Sequence, residues 1–366
     1  MSEGAARDVA AVEKRACYNH VNFSAKSLLE FTYMRSRILA ALTVILGFST
    51  LGLGQQAACK GVEVPIGVIS ASGDVFRGLV AKDFAGQLQK KPVSVKLVAF
   101  DDGPRRVLIV VDVNKKLSSD SRKAESEMVR IILENARKED TFALIPAHGH
   151  GPQVKFTADR SAITLALGAD GGGKNGKEPG VLDSVMEGIE WFESPQSGDA
   201  IVVIAADMEG NHKANDRLVA KALEERRIRM FGLALGPVTT QNVVAGGTMT
   251  STTSQGLAYT KPLVGDGVYV TGDDHFFPLT VNSGGLVLGA MNGDNHRTYS
   301  LEDPKVLQAV RQKALSVSKM ISAYYRMQVE PPQLTHPQDW NLTINPDVQK
   351  HSPPMFVLYP HQLGPC

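Results

Sequence analysis

Five apolar residues, Val107 to Val111, run unbroken through RRVLIVVDV (105–113), and similar runs fill DAIVVIAAD (199–207) and IRMFGLAL (228–235). A run without polar alternation is the pattern of a strand covered on both faces, as in a parallel sheet. TFALIPAHG (141–149) is another such strand, and PQVKFTA (152–158) reads as its hairpin partner, turned by His148 to Gly151. Between these runs the period becomes helical. Ala124, Met128, Ile131, Ile132 and Ala136 share one face of 120–138, and Ser118 to Ser121 offer N-cap hydroxyls. Residues 181–193 and 214–227 predict two more helices, the second with Leu218, Val219, Ala222 and Leu223 on one face. Asp303-Pro304 opens a further helix over 304–323, in which Leu307, Val310, Ala314, Val317 and Ile321 recur at spacings of three and four. Strands alternating with helices of this length predict an α/β fold around a doubly wound, mostly parallel sheet.

The flanks read differently. VEVPIGVIS (62–70) and VSVKLVAF (93–100) predict strands of a small N-terminal β segment, residues 60–103. The α/β unit then covers 104–330. YYRMQVE, WNLTINP and MFVLYP are strand-like, and 331–366 forms a C-terminal β extension. The Gly-, Thr- and Ser-rich stretch 237–262 reads as a long loop, and no internal repeat is present.

The N-terminus adds a statement about compartment. MRSRILAALTVILGFSTLGLG (34–54) has a basic start, an apolar middle and small residues at its end, the layout of a signal peptide. An uncleaved anchor is the other reading, and both export the remainder of the chain, to the periplasm or beyond. Residues 1–33 are a start-site artefact or a disordered tail. Gln56-Ala57-Ala58-Cys59 weakly resembles a lipobox, with Gln where Leu belongs. Export leaves Cys59 and Cys366 as a candidate disulfide or as two free thiols.

Composition narrows the partners. Of 366 residues, 43% are hydrophobic and 21% charged, enough apolar material for one large or two modest domains. A net charge of +1 and the lack of a long like-charge run exclude an obvious nucleic-acid binder.

Asp112 and Asp207 each follow a buried strand, where doubly wound folds bind their ligands. Two carboxylates converging there repel one another unless something neutralises them, which makes them candidate metal ligands. The order of strand-Asp, helix, hairpin, loop-helix, strand-Asp, helix and strand resembles a von Willebrand factor type A domain. VFRGLVAKDF (75–84) with VAFDDGPRRVLIVVDV (98–113), and SGGLVLGAM (283–291) followed by YYRMQVEP (324–331), resemble the secreted bacterial proteins related to that family. The pattern covers roughly 62–360.

The resemblance implies a metal-ion-dependent adhesion site and a binding function. Its Asp-x-Ser-x-Ser motif falls on Asp112, Asn114 and Lys116, its threonine on Pro179 and its second acid on Asp207. The acids are kept and the hydroxyls are lost. Lys116 places a fixed positive charge where a cation belongs, so Mg²⁺ or another divalent ion is poorly accommodated. Lys116 then either balances Asp112 and Asp207 or points to solvent while Asp112 caps the next helix. His148-Gly149-His150 reads as an exposed polar hairpin, Gly171 to Lys174 as a surface loop and Asp273-Asp274-His275 as a solvated turn. Asn341-Leu342-Thr343 is a glycosylation sequon without meaning in a bacterial chain. No nucleophile with a paired base, and no zinc-protease motif, appears. The expectation is an exported module, not an enzyme, without a cofactor, that binds an extracytoplasmic protein or surface polymer independently of cations. Alternatives are a metal-assisted hydrolase using Asp112 and Asp207, and a structural subunit of an envelope complex.

Overall fold

The computed structural model describes residues 61–365 except 71–72, 114–116, 150, 170–178, 206–213, 240–247, 253–257, 263–269, 272–275, 293–299 and 354. In chain order the elements are β1 (Val62–Ser70), β2 (Phe84–Leu88), β3 (Lys91–Asp101), β4 (Arg106–Asp112), α1 (Ser119–Glu134), β5 (Thr141–Ala147), β6 (Val154–Thr157), α2 (Arg160–Gly168), α3 (Val181–Glu190), β7 (Ala200–Ala205), α4 (Asp216–Arg226) and β8 (Arg229–Thr239). Next come β9 (Thr248–Thr252), β10 (Ala258–Pro262), β11 (Val270–Thr271), α5 (Phe276–Asn282), β12 (Val287–Asn292), α6 (Pro304–Ser322), β13 (Tyr324–Glu330), β14 (Gln338–Ile344), α7 (Pro346–Lys350), β15 (Met355–Leu358) and β16 (Gln362–Leu363).

The apolar runs form the central sheet. Its order is β6-β5-β4-β7-β8, with β12 beside β8 and β11 pairing the end of β8. β5, β4, β7, β8 and β12 are parallel, and β6 is an antiparallel edge. Both faces are covered, which is why these strands carry no polar alternation. Val107, Ile109 and Val111 of β4 pack with residues of α1, α2 and α6. Leu108 and Val110 pack with α3, α4 and α5 on the other face. The chain thus has the order of elements of a von Willebrand factor A-like fold, doubly wound about β4.

Helix α3 lies very close to the sheet. A Cβ on Gly188 would come within 2.1 Å of Leu108 Cδ2 and 3.2 Å of Ile145 Cδ1, both in the close-packed interior. Gly188→Ala is therefore expected to destabilise the fold by about 1–3 kcal/mol through overpacking, although alanine is the better helix former. Urea unfolding monitored by circular dichroism measures this; a neutral or stabilising result would mean that helix and strand separate freely.

The expectation of a mostly parallel architecture is corrected by a second sheet. Its order is β15-β1-β13-β3-β2-β14-β16, and its pairings are antiparallel. The N-terminal β segment and the C-terminal extension pair with each other in it. Burial alternates along β14, where Trp340, Leu342 and Ile344 point inward and Asn341 and Thr343 outward. That is the mark of a sheet with one wet face. Its core joins Val64, Ile66, Phe84, Tyr325, Trp340 and Tyr359.

Two further differences concern the middle of the chain. The stretch 237–262 contains the end of β8 and an antiparallel hairpin, β9 with β10, rather than only loop. Its threonines are β-branched and favour strand as well as turn. Phe276–Asn282 is a helix that the apolar periodicity does not announce, being only 7 residues long.

The chain leaves the second sheet at Asp101 and returns at Tyr324, which pairs directly with Asp101. At this junction Arg105, Arg137 and Arg229 donate to Ile321, Ser322 and Met320 carbonyls at the end of α6. Those carbonyls lack partners within the helix, and their dipole favours cations.

Candidate functional site

Asp112 is the last residue of β4 and sits where strand order reverses, with β5 on one side and β7 on the other. It is only 2% exposed. In register beside it is Ala147, the last residue of β5, whose carbonyl accepts the Val113 N–H at 3.0 Å. The next residue, His148, has φ 55°, a left-handed conformation that histidine tolerates better than most side chains. Its backbone N–H donates to the Pro179 carbonyl at 2.9 Å. This turn carries the imidazole to the end of β4, with Nδ1 2.9 Å from Asp112 Oδ1. The two side chains share one hydrogen bond.

A second acid lies beneath. Glu125 of α1 is 2% exposed, and its Oε1 has no hydrogen-bond partner. Burial, reinforced by the Asp112 charge and opposed by Arg122, pushes its carboxyl up to about 9. Glu125 is thus neutral at pH 7 and adds no second negative charge beside Asp112. Asp112 and Glu125 thus do not repel one another as two anions, whereas Asp207, the acid expected to do so, lies outside the described residues.

Other loops close around the same edge. Helix α3 begins immediately after Pro179 and Gly180, and Gly180 provides no side-chain cap. Asp183, in its first turn, accepts the Ala214 N–H at 2.7 Å, which ties the entry of α4 to α3. Ser184 Oγ is buried and without a partner.

Of the residues expected here, Asp112 and Pro179 are brought together through His148, Pro179 by its carbonyl alone. Asn114, Lys116 and Asp207 lie outside the described residues, as do Gly171 to Lys174, Asp273 to His275, Cys59 and Cys366. Two readings are corrected. His148 is not part of an exposed hairpin: its side chain is 17% exposed and bonded to Asp112. Asp112 does not cap α1, because Ser118 does so, its hydroxyl accepting from Ser121 N–H at 3.0 Å. His148 and Glu125 were the residues missed. A histidine one position past a strand that neighbours β4 was the available signal for the first.

Asp112 and Pro179, the two expected adhesion-site positions among the described residues, already take part in hydrogen bonds. The imidazole Nδ1 is hydrogen-bonded to Asp112 Oδ1, and the Pro179 carbonyl already serves the His148 backbone N–H. Glu125 holds a proton and would have to lose it to ligate. Among the described residues no group of three or more His, Cys, Asp and Glu side chains is arranged to hold a metal.

No family model matches the chain, and no curated protein matches it at a significant level. Solved structures do. An aerotolerance-related membrane protein from Bacteroides fragilis is 14% identical over 59% of this chain and 98% of its own, with a TM-score of 0.37. The conserved hypothetical protein BatB from Bacteroides thetaiotaomicron is 17% identical over 60% of this chain and 98% of its own, TM-score 0.34. A von Willebrand factor type A protein from Catenulispora acidiphila is 8% identical over 80% of this chain and 71% of its own, TM-score 0.40.

Proposed function

We propose that this chain is an exported binding module, not an enzyme, whose contact surface is the edge of the central sheet around Asp112. The observation that carries the reading is the 2.9 Å contact of His148 Nδ1 with Asp112 Oδ1 at the reversal point of strand order. In this position a side chain of the protein itself balances the aspartate, so a partner is bound without a cation. The partner is an extracytoplasmic protein or surface polymer, and the chain carries no cofactor. Export rests on residues 34–54, which lie outside the described residues. Among those described, no helix is long and apolar enough to cross a membrane.

Calorimetric titration with Mg²⁺ and Mn²⁺ tests the central point. No binding is expected at micromolar concentrations, and capture of the partner from envelope fractions is expected to be equal in EDTA and in Mg²⁺. His148→Ala removes the balancing group and is expected to weaken capture at least about tenfold, the equivalent of one charge-assisted hydrogen bond. Micromolar affinity of the unaltered protein for either ion would overturn the cation-free reading.

A further inference from the structure

A cavity of about 190 Å³ lies away from the Asp112 edge, between the two sheets. Its walls are the first half of β1, helices α4 and α5, and the C-terminal strap from Pro360 to Pro365. The floor is apolar: Val64, Leu223, Leu279 and Leu363 are all buried and all line it. A cavity of ~150 Å³ accepts benzene, so there is room here for about eight non-hydrogen atoms.

Two acids are among the residues that line this apolar space. Glu224 lines the cavity, and its Oε1 is buried with no hydrogen-bond partner. The same atom lies 3.8 Å from where a Cβ on Gly364 of the strap would stand. Helix α4 offers Glu224 an obvious cation three residues earlier, yet Lys221 pairs with Glu225, at 3.6 Å. Burial raises the Glu224 carboxyl above its usual range, and its charged neighbours, Glu225 and Asp339, push the same way. Leaving a buried carboxyl oxygen unsatisfied is costly, and a cation bound to the same carboxylate offsets part of that cost. Glu63 of β1 also lines the cavity and adds a second acid.

The rim has the opposite sign. Arg217, Lys221 and Arg227 line the same cavity and are exposed. Half-buried acids and exposed basic residues therefore line one cavity together with an apolar floor.

We propose that this cavity binds a small zwitterion with an apolar body, of the class of a free amino acid with an aliphatic side chain. Its ammonium bonds Glu224, its side chain lies on Leu223, Leu279 and Leu363, and its carboxylate faces the basic rim. An ammonium donates three hydrogens and carries the charge that an isolated buried carboxylate lacks. Because β1 and the strap belong to one sheet and α4 and α5 flank the other, the ligand would fasten the two together. It would raise the melting temperature by mass action.

The test uses the full-length chain and three probes: L-leucine, 4-methylpentanoate, which lacks the amine, and 3-methylbutylamine, which lacks the carboxylate. L-leucine is expected to bind at or below ~1 mM by calorimetry and to raise the melting temperature in step with its concentration. The amine-free probe is expected to bind at least about tenfold more weakly. Glu224→Gln removes the charge at constant shape and is expected to cost L-leucine a similar factor. Gly364→Val, whose Cβ meets only Glu224 Oε1 within 4 Å, narrows the cavity without backbone strain and is expected to abolish binding. Binding of 4-methylpentanoate as tight as that of L-leucine overturns the proposal. So does undiminished binding to a folded Glu224→Gln protein, or no binding of L-leucine at ~10 mM. Should Glu224→Gln fail to fold, the comparison of probes on the unaltered chain decides alone.

Discussion

Arg229→Ala is expected to destabilise the protein by about 3–5 kcal/mol, a large share of the whole stability of a typical domain. Arg229 is 1% exposed, yet it is charged at neutral pH: burial, with the Arg105 charge, brings it down only to about 10, and Tyr324 and Asp101 act against that fall. Its guanidinium lies 4.4 Å from the Tyr324 ring centre, and Arg105 lies 4.6 Å from the same ring. Arg229 donates to the Met320 and Ile321 carbonyls, each at 3.2 Å. Asp101 supplies the counter-charge through Arg105 at 3.0 Å and accepts the Tyr324 hydroxyl at 3.0 Å. The end of α6, the start of β13 and the first residue of β8 thus meet at one buried cation. Alanine leaves a cavity there and removes donors from helix carbonyls that water does not reach.

Two companion variants separate these contributions. Arg229→Lys keeps the charge but loses the planar fork that spans two carbonyls and stacks on Tyr324, so it is expected to recover only part of the loss. Arg229→Met restores volume without donors and is expected to fall between alanine and the unaltered protein. Urea denaturation of all three gives the order. A methionine variant as stable as the parent would show that the hydrogen bonds contribute nothing net, as happens for some buried ions replaced by apolar groups.

None of that junction is visible in the sequence, because it assembles residues 101, 105, 229 and 320–324, which no local period connects. The central sheet was visible, since Val107 to Val111 can only be a strand buried on both faces. The second sheet was half visible. Trp340-Asn341-Leu342-Thr343-Ile344 alternates as an antiparallel strand should, but pairing between the two ends of a chain leaves no trace in either end alone. At the candidate site Asp112 was legible from its place after β4. His148 was within reach, because neighbouring parallel strands end at the same level and Ala147 is Asp112's register partner. It was passed over because a His-Gly-His turn usually faces water. Glu125 was legible too: it stands four residues before Val129 and seven before Ile132, both buried on the inner face of α1. A charged residue on an apolar helical face is normally discounted as the edge of the stripe, and only the depth of this one gives it meaning.

That depth makes the protein's stability depend on pH in an unusual direction. Glu125 titrates near 9 in the folded state against 4.5 for a free side chain. Below pH 4.5 both states hold the proton and the group is neutral to stability in either form. Between these values the unfolded chain has released its proton and the folded chain has kept it, so raising the pH favours unfolding. At about 1.4 kcal/mol per unit, the loss reaches about 3 kcal/mol by pH 7 and approaches ~6 kcal/mol by pH 9. Glu125→Gln has no proton to lose. It is expected to be up to about 3 kcal/mol more stable than the parent at pH 7, less whatever its buried amide leaves unpaired. Its stability should be nearly flat from pH 5 to 9 where the parent declines. Equilibrium urea unfolding of both proteins across that range is the measurement, and parallel pH profiles would refute the buried neutral acid. The same comparison bears on binding. If the proton on Glu125 is what keeps a second negative charge away from Asp112, the parent should lose grip on its partner as pH rises toward 9, while the glutamine variant should hold it.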